Sequence, residues 1–167
     1  VAFSGQSCDM RRIAELAERY NVTVIEDASH AVGASYAGRP VGCGEFAAMT
    51  VFSFHPVKII TSAEGGMVLT NRPALAERLR RLRSHGMTRD PEHMTEPSHG
   101  AWYYQQIELG FNYRITDLQA ALGLSQLGKL DDFIARRREL AARYEQLLTY
   151  LPLTLPSAQP DAESAWH

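Results

Sequence analysis

Residues 51–67 read VFSFHPVKIITSAEGGM, and the fold prediction starts from this stretch. An apolar run from Met49 to Phe54 predicts a buried strand, and a second apolar run begins at Met67. A single lysine, Lys58, lies between the two runs. Such a lysine is either a solvated residue of a turn or, if a dry cleft holds it neutral, a nucleophile toward carbonyl groups.

Composition restricts the classes of function. The chain has 167 residues, of which 45% are hydrophobic and 22% charged, as expected for one globular domain with its core. The net charge of −2 offers no basic surface for nucleic acid, and no apolar run is long enough to span a membrane. Cys8 and Cys43 are isolated and lack the spacing of metal ligands. We therefore expect a cytoplasmic protein without a metal site, a nucleic-acid partner or a membrane partner.

The N-terminal part predicts half of a βαβ unit. Asp9 can cap a helix over residues 10–20, which Asn21 ends. The β-branched run from Val22 to Ile25 then predicts a strand, and a helix followed closely by a strand favours a parallel sheet. Asp27 follows this strand, where ligands of open α/β sheets bind. From its position alone, Asp27 is either a cap of the next turn or a ligand.

Further elements follow along the chain. Residues 33–44 predict a loop or short hairpin, residues 46–54 and 66–70 strands, and a helix begins at Asn71 or Pro73 and runs to about Ser84. Residues 85–106 lack periodicity over a length that is typical of lids, binding loops or disorder.

A long helix is predicted near the C-terminal end. Thr116 and Gln119 form a capping box at its start, and the apolar period continues to about Tyr150. A helix of roughly 34 residues is about 50 Å long and is expected to bridge two lobes. Gly123 and Gly128 are expected to weaken it locally and to mark a bend. The basic cluster of residues 136–138 is interpreted as a solvated face.

Two long strings then resemble a known family. These are IEDASHAVGASYAGRPVGCGEFAAMTVFSFHPVKIITSAEGGMVLT, residues 25–70, and GFNYRITDLQAALGLSQL, residues 110–127. Both resemble the DegT/StrS-type sugar-nucleotide aminotransferases, which depend on pyridoxal 5'-phosphate (PLP). The segments HPVKIITSAEGG and WYYQQIELGFNYRITD are similar to the branch of this family that acts in pseudaminic acid biosynthesis.

The resemblance implies a fold and a domain division. It predicts an α/β fragment of a fold type I PLP-dependent transferase, with a mixed, mostly parallel sheet, flanking helices and a long helix toward a small domain. Residues 1–110 would belong to the large PLP-binding domain, and residues 111–167 would hold the interdomain helix and the start of the small C-terminal domain. Both chain ends suggest a piece of a longer enzyme, and the piece alone is expected to be inactive.

The resemblance also implies roles for individual residues. PLP chemistry needs a lysine, a carboxylate against the pyridine nitrogen and donors for the phosphate. Lys58 matches the Schiff-base lysine, Asp27 the pyridinium partner and Ser53 a phosphate ligand. His30 would lie beside the cofactor ring and its phenolic oxygen. Asn112 would reach the phosphate bound by the neighbouring subunit, which implies a homodimer with shared active sites.

The implied reaction is transamination. An amino acid, expected to be L-glutamate, would donate an amino group to a keto sugar nucleotide of the UDP-4-keto-6-deoxy amino sugar type, in polysaccharide biosynthesis. Two alternatives remain open at this point. One is a PLP-dependent sugar dehydratase, in which histidine replaces the lysine. The other is a truncated, non-catalytic relative that binds PLP without turnover. The lysine at Lys58 argues against the dehydratase.

Overall fold

The computed structural model describes residues 1–167, which form helices and short strands. The chain divides into two units, Val1–Asn71 with Thr116–His167 and, separately, Arg72–Ile115. The helices are α1 (Met10–Tyr20), α2 (Pro73–Leu82), α3 (Asp117–Leu127) and α4 (Leu130–Leu148). The strands are β1 (Ile25–Asp27), β2 (Ser35–Tyr36), β3 (Arg39–Pro40), β4 (Met49–Ser53), β5 (Gly66–Leu69), β6 (Met87–Thr88), β7 (Gln105–Gln106) and β8 (Ala162–Glu163). No helix is both long and apolar enough to cross a membrane.

Helix α1 confirms the predicted caps. The Asp9 carboxylate accepts a hydrogen bond from the backbone N–H of Arg12 at 3.0 Å, which satisfies one of the free donors of the first turn. Asn21 ends the helix in the left-handed conformation, with φ of 51°, which asparagine tolerates better than most residues. Local side-chain chemistry therefore sets both ends of α1.

The central sheet has the strand order β1-β4-β5. Strands β1 and β4 are parallel, with Ile25 opposite Met49 and Asp27 opposite Val51, whereas β4 and β5 are antiparallel. The strand predicted over residues 22–25 is shifted, because only Ile25 of that run pairs with β4 and the pairing continues through Asp27. The strand predicted over residues 46–54 is likewise shorter, since its bounds follow the two partner strands.

The main core of the first unit lies between the central sheet and α4. Ile134 on α4 is buried with Ala31, Phe52 and Ile60, and each such large apolar side chain contributes about 1.5–3 kcal/mol on burial. A Cβ at Gly33, whose φ is +83°, would lie 2.8 Å from the Ile134 side chain. Glycine is therefore required where this loop crosses α4.

A small second sheet closes the first unit at the C-terminal side. Strands β2 and β3 form the hairpin that was one of the two predicted forms of residues 33–44. Strand β8 pairs with β2, with Ser35 opposite Glu163. The residues after β8 continue along the N-terminal loop, where the N–H of Ala165 donates to the carbonyl of Gly5 at 2.9 Å. The division of the longer protein at residue 110 stays a prediction.

The prediction of one continuous helix from Thr116 to about Tyr150 is wrong. The capping box of Thr116 and Gln119 is confirmed at the start of α3, but α3 ends at Leu127. Lys129, with φ of −110° and ψ of 3°, separates α3 from α4. The break lies next to Gly128, one of the two glycines predicted to weaken the helix, because glycine has a low helix propensity.

The second unit is built on α2. Glu108 accepts a hydrogen bond from Arg81 of α2 and forms an ion pair with it. Glu77 forms a second ion pair with the same guanidinium at 3.1 Å. Strands β6 and β7 pair antiparallel, and a short 3₁₀ helix at Pro91–His93 lies between them. The aperiodic stretch of residues 85–106 therefore contains three short elements, each too short to produce a periodic pattern.

Candidate active site

The predicted cofactor lysine lies in the loop between β4 and β5. The backbone N–H of Ser62 donates to the carbonyl of Phe54 at 2.9 Å, which closes this loop at its base. Ile59 and Ile60, directly after Lys58, are buried in the main core. Lys58 itself is half-buried. The loop is therefore anchored beside its lysine, and Lys58 itself is not fully buried.

Asp27 and Ser53 lie on one face of the central sheet. Asp27 stands opposite Val51 in the parallel pair, and Ser53 is two residues beyond Val51 on β4. Because paired residues share a face and side chains alternate along a strand, these three side chains lie on the same side. Glu26 lies on the other side, where its carboxylate accepts a hydrogen bond from Thr50 Oγ1 at 3.1 Å.

The carboxylate of Asp27 is held ionised. The hydroxyl of Ser29 donates to Asp27 Oδ1 at 2.6 Å, and the N–H of Ser29 donates to the same oxygen at 3.0 Å. These two hydrogen bonds, the hydroxyl first, keep the pKa of Asp27 below its usual value against a smaller opposing effect of burial. Asp27 is exposed at the end of β1, so this anion can pair with a protonated ring nitrogen.

His30 follows Asp27 by one turn of the loop. Its Nδ1 accepts a hydrogen bond from the backbone N–H of Ser4 at 3.3 Å. An Nδ1 that accepts assigns the proton of the neutral imidazole to Nε2. Its ring stacks on that of His167, with centroids 4.1 Å apart and planes within 4° of each other. The geometry leaves the Nε2–H of His30 as its hydrogen-bond donor.

The sequence did not single out His167 as a functional residue. Burial, assisted by the positive charges of His30, Lys58 and Arg137, lowers the pKa of His167. Its Nε2 is buried without a hydrogen-bond partner. Sequence reasoning missed it because the residues around it come from distant segments, and a histidine after an aromatic residue carries no motif.

The basic cluster of residues 136–138 is only partly the solvated face that was predicted. Arg136 is exposed and pairs with Glu139 on its own helix. Arg137 is half-buried, and its Nη1 donates to the carbonyl of Trp166 at 2.7 Å. Arg138 pairs with Glu163 at 3.2 Å. Two of the three arginines thus fasten the C-terminal segment to α4.

Asn112 belongs to the second unit. Its segment pairs with the end of α2 through a bridge between Ser84 and Asn112 and a hydrogen bond from the N–H of His85 to the carbonyl of Phe111 at 2.8 Å. The N–H of Tyr113 donates to the carbonyl of Arg83 at 2.9 Å. Asn112 is exposed. Its backbone is thus fixed, while its side chain faces outward.

Four of the five predicted residues therefore belong to the first unit. Lys58, Asp27, Ser53 and His30 lie in or directly after β1 and β4, whose carboxyl ends share one edge of the sheet. Ligands of open α/β sheets bind at such an edge. A family model for the DegT/DnrJ/EryC1/StrS aminotransferases matches residues 1–167. The chain belongs to this family. The family prediction made from the sequence is confirmed.

Relatives of known structure or name support the same family. The UDP-4-amino-4,6-dideoxy-N-acetyl-beta-L-altrosamine transaminase of Campylobacter jejuni is 42% identical over 146 residues, which are 87% of this chain and 36% of that protein. The structure of PseC from Helicobacter pylori, an aminotransferase involved in the biosynthesis of pseudaminic acid, matches with a TM-score of 0.81 and 34% identity over 90% of this chain and 38% of that chain. A proposed sugar aminotransferase from Streptococcus pneumoniae in its PLP form has a TM-score of 0.81 and 26% identity over 99% of this chain and 44% of that chain.

These relatives are longer than the chain. The chain spans between 36% and 43% of the length of the curated relatives it matches. The fold prediction is confirmed as a fragment of a fold type I PLP enzyme. Members of this family depend on PLP.

The donor set of this chain fits PLP. An ionised carboxylate, a hydroxyl and a lysine amine are the groups that a pyridinium nitrogen, a phosphate and an aldehyde require. Asp27, Ser53 and Lys58 are groups of these three types, and they lie in or after the adjacent strands β1 and β4. The partnerless Nε2 of His167 adds a buried polar atom beside His30. None of these residues conflicts with the cofactor.

Proposed function

We propose that the full-length protein to which this chain belongs is a PLP-dependent transaminase that moves an amino group from an amino acid to a keto sugar nucleotide. The observation that carries this proposal is that an ionised Asp27 and Ser53 lie on the same face of the sheet, before the loop that holds Lys58. When bound, PLP supplies an electron sink for the carbon that loses or gains a proton.

Each residue has a stated task in this proposal. Lys58 would hold the cofactor through its amine, and the same amine, when free, would move the proton at the substrate carbon. Asp27 keeps the pyridine nitrogen protonated, because an anion at that position favours the charged form. Ser53 donates its hydroxyl to the phosphate. Asn112 donates to the phosphate held by the neighbouring subunit in a two-fold dimer.

The proposed substrates rest on the relatives. The Campylobacter protein is named as a transaminase of a UDP-linked amino sugar, and PseC is described as acting in pseudaminic acid biosynthesis. We therefore propose a UDP-4-keto-6-deoxy amino sugar as acceptor and L-glutamate as donor. The product would enter polysaccharide biosynthesis in the cytoplasm.

Lysine attachment offers a direct test, because peptide mapping distinguishes a label on Lys58 from one on Lys129, the other lysine of this chain. Borohydride reduction of the full-length protein with PLP should fix the cofactor covalently on Lys58. Lys58→Ala should abolish this labelling and reduce turnover by at least about 10²-fold. Lys129→Ala, at an exposed residue between α3 and α4, is the matched control and should change neither. Label on another lysine would exclude the proposed role of Lys58.

Product analysis separates the alternatives. Incubation with L-glutamate and a panel of keto sugar nucleotides should yield an amino sugar nucleotide, detected by mass spectrometry. A dehydrated sugar nucleotide without nitrogen transfer would instead identify the sugar dehydratase. Cofactor binding without any turnover across the panel would identify the non-catalytic relative.

A further inference from the structure

We propose that His167 is a positioning residue of the candidate active site, and that its stacked imidazole holds His30 with Nδ1 on the Ser4 amide and Nε2–H free to donate to the cofactor. This inference rests on the proposed function, because it gives His30 its ligand. It concerns the ring of His30 itself, however, and can be tested without turnover.

Ser4 links the two imidazole-bearing segments. Its N–H donates to Nδ1 of His30 at 3.3 Å, and its carbonyl accepts the backbone N–H of His167 at 3.2 Å. Ser4 adopts the left-handed conformation, with φ of 54°. For any residue other than glycine, this conformation has a free-energy cost. It persists where the surrounding contacts require it. The backbone of one residue, Ser4, therefore contacts both histidines.

The C-terminal segment is fixed from two further sides. Arg137 on α4 donates to the carbonyl of Trp166 at 2.7 Å, and Trp166 also adopts a left-handed conformation, with φ of 52°. A Cβ at Gly5 would lie 2.7 Å from the backbone nitrogen of Trp166, so glycine permits this close approach. The backbone that carries the ring of His167 is thus held in place.

The stack with His167 hinders rotation of the His30 ring. Neutral His30 could turn by 180° about its Cβ–Cγ bond and exchange Nδ1 with a carbon. This rotation must pass through the space that the parallel ring of His167 occupies at 4.1 Å. Phe3, at 5.4 Å, contacts the same ring of His30. The flip is therefore hindered, and the Nδ1 acceptor stays on the Ser4 amide.

The charges around the stack favour a neutral ring at His167. The charged groups that act on His167 are His30 in the loop after β1, Lys58 in the loop after β4 and Arg137 on α4. All three are cationic when protonated, so a proton on His167 is opposed from each packed element. A neutral His167 is a flat, uncharged partner for His30. It can hold the ring without competing for its proton.

The experiment compares His167→Leu with His167→Phe in the full-length protein. Leucine fills the space without a flat ring, whereas phenylalanine keeps the stack and removes both nitrogens. Imidazole ¹⁵N chemical shifts of His30, measured without cofactor, report its tautomer. Titration of PLP, followed by protein fluorescence, reports the dissociation constant. His99→Ala is a matched control for the shifts, since His99 stacks on Tyr103 at 4.7 Å in the other unit.

Wild type and His167→Phe should show one His30 tautomer, with the proton on Nε2. His167→Leu should show a mixture and bind PLP about tenfold more weakly, the upper end of what an aromatic pair contributes. His99→Ala should leave the His30 signals unchanged. Unchanged tautomer and PLP affinity in His167→Leu would overturn the positioning role alone. A wild type that binds no PLP would overturn the proposed function, and with it any role of His167 toward the cofactor.

Discussion

Glu26 and Asp27 are neighbours on β1, yet their carboxyl groups lie on opposite faces of the sheet and their pKa values move in opposite directions. Burial raises the pKa of Glu26, despite a hydrogen bond from Thr50. Hydrogen bonds from Ser29 lower the pKa of Asp27. The alternation of side chains along a strand therefore separates a carboxyl group of the interior from an anion at the candidate site.

Removing the charge of Asp27 tests its role. Asp27→Asn should leave the fold intact and reduce turnover of the full-length protein by about 10- to 100-fold, the equivalent of losing one hydrogen bond to a charged group. The reason is that a neutral amide no longer stabilises a pyridinium. The measurement is kcat at saturating substrates, with cofactor content checked by absorbance. An unchanged kcat would remove Asp27 from the cofactor site.

Glu26 predicts a pH-dependent stability. The pKa of Glu26 is raised in the folded protein above its ordinary value of 4.5. Between these two pKa values, the carboxyl group of the folded protein is still protonated whereas that of the unfolded chain is ionised. Stability is therefore lost as pH rises through 4.5 toward the raised value. Glu26→Gln keeps an acceptor for Thr50 and should raise the melting temperature at pH 7, with no gain at pH 3.

The control for Glu26→Gln is its neighbour. Asp27 has a lowered pKa, so its contribution is present above the ordinary value of 3.8 and is lost as pH falls through the folded pKa. Asp27→Asn should therefore lower the melting temperature at pH 7, opposite in sign to Glu26→Gln. Equal shifts of the same sign in both variants would contradict the assignment of the two faces.

Arg137 and Arg136 form a matched pair on α4. Arg137→Ala leaves the part-buried carbonyl of Trp166 without its donor, which should cost about 1–3 kcal/mol of unfolding free energy. Arg136→Ala removes only an exposed ion pair with Glu139 and should cost about 0.5 kcal/mol or less. Denaturant unfolding of the full-length protein measures both. Equal losses would mean that Arg137 does not anchor the C-terminal segment.

Features set by neighbouring residues could be predicted from the sequence. The caps of α1 and the capping box of α3 depend on side chains within three or four positions, so Asp9, Asn21 and Thr116 are recognisable in isolation. The resemblance to the family rests on contiguous strings around Lys58 and Asn112. For this reason the family and the candidate residues followed from the sequence.

Features set by distant partners could not be predicted in this way. The start of β1 depends on its pairing with β4, and thus on residues more than twenty positions away. The ring of His167 meets that of His30 only after the chain has returned along Ser4. Arg137 looks like its exposed neighbour Arg136, because only the fold supplies Trp166 as its partner. No local pattern carries such information.

Assembly is tested by mixing two inactive variants of the full-length protein. If Asn112 of one subunit serves the Lys58 site of the other, a mixed dimer of Lys58→Ala and Asn112→Ala contains one site with both residues intact and one with both defects. Random exchange makes half of the dimers mixed, and each mixed dimer has one intact site of two, so about a quarter of wild-type activity should appear.

The control for this mixing experiment is Lys58→Ala mixed with Asp27→Asn. Both changed residues serve the site of their own chain, so no comparable recovery is expected. The alternative, in which Asn112 caps a turn within its own subunit, predicts no recovery in either mixture. Absence of recovery under conditions of proven subunit exchange would therefore reject the shared site.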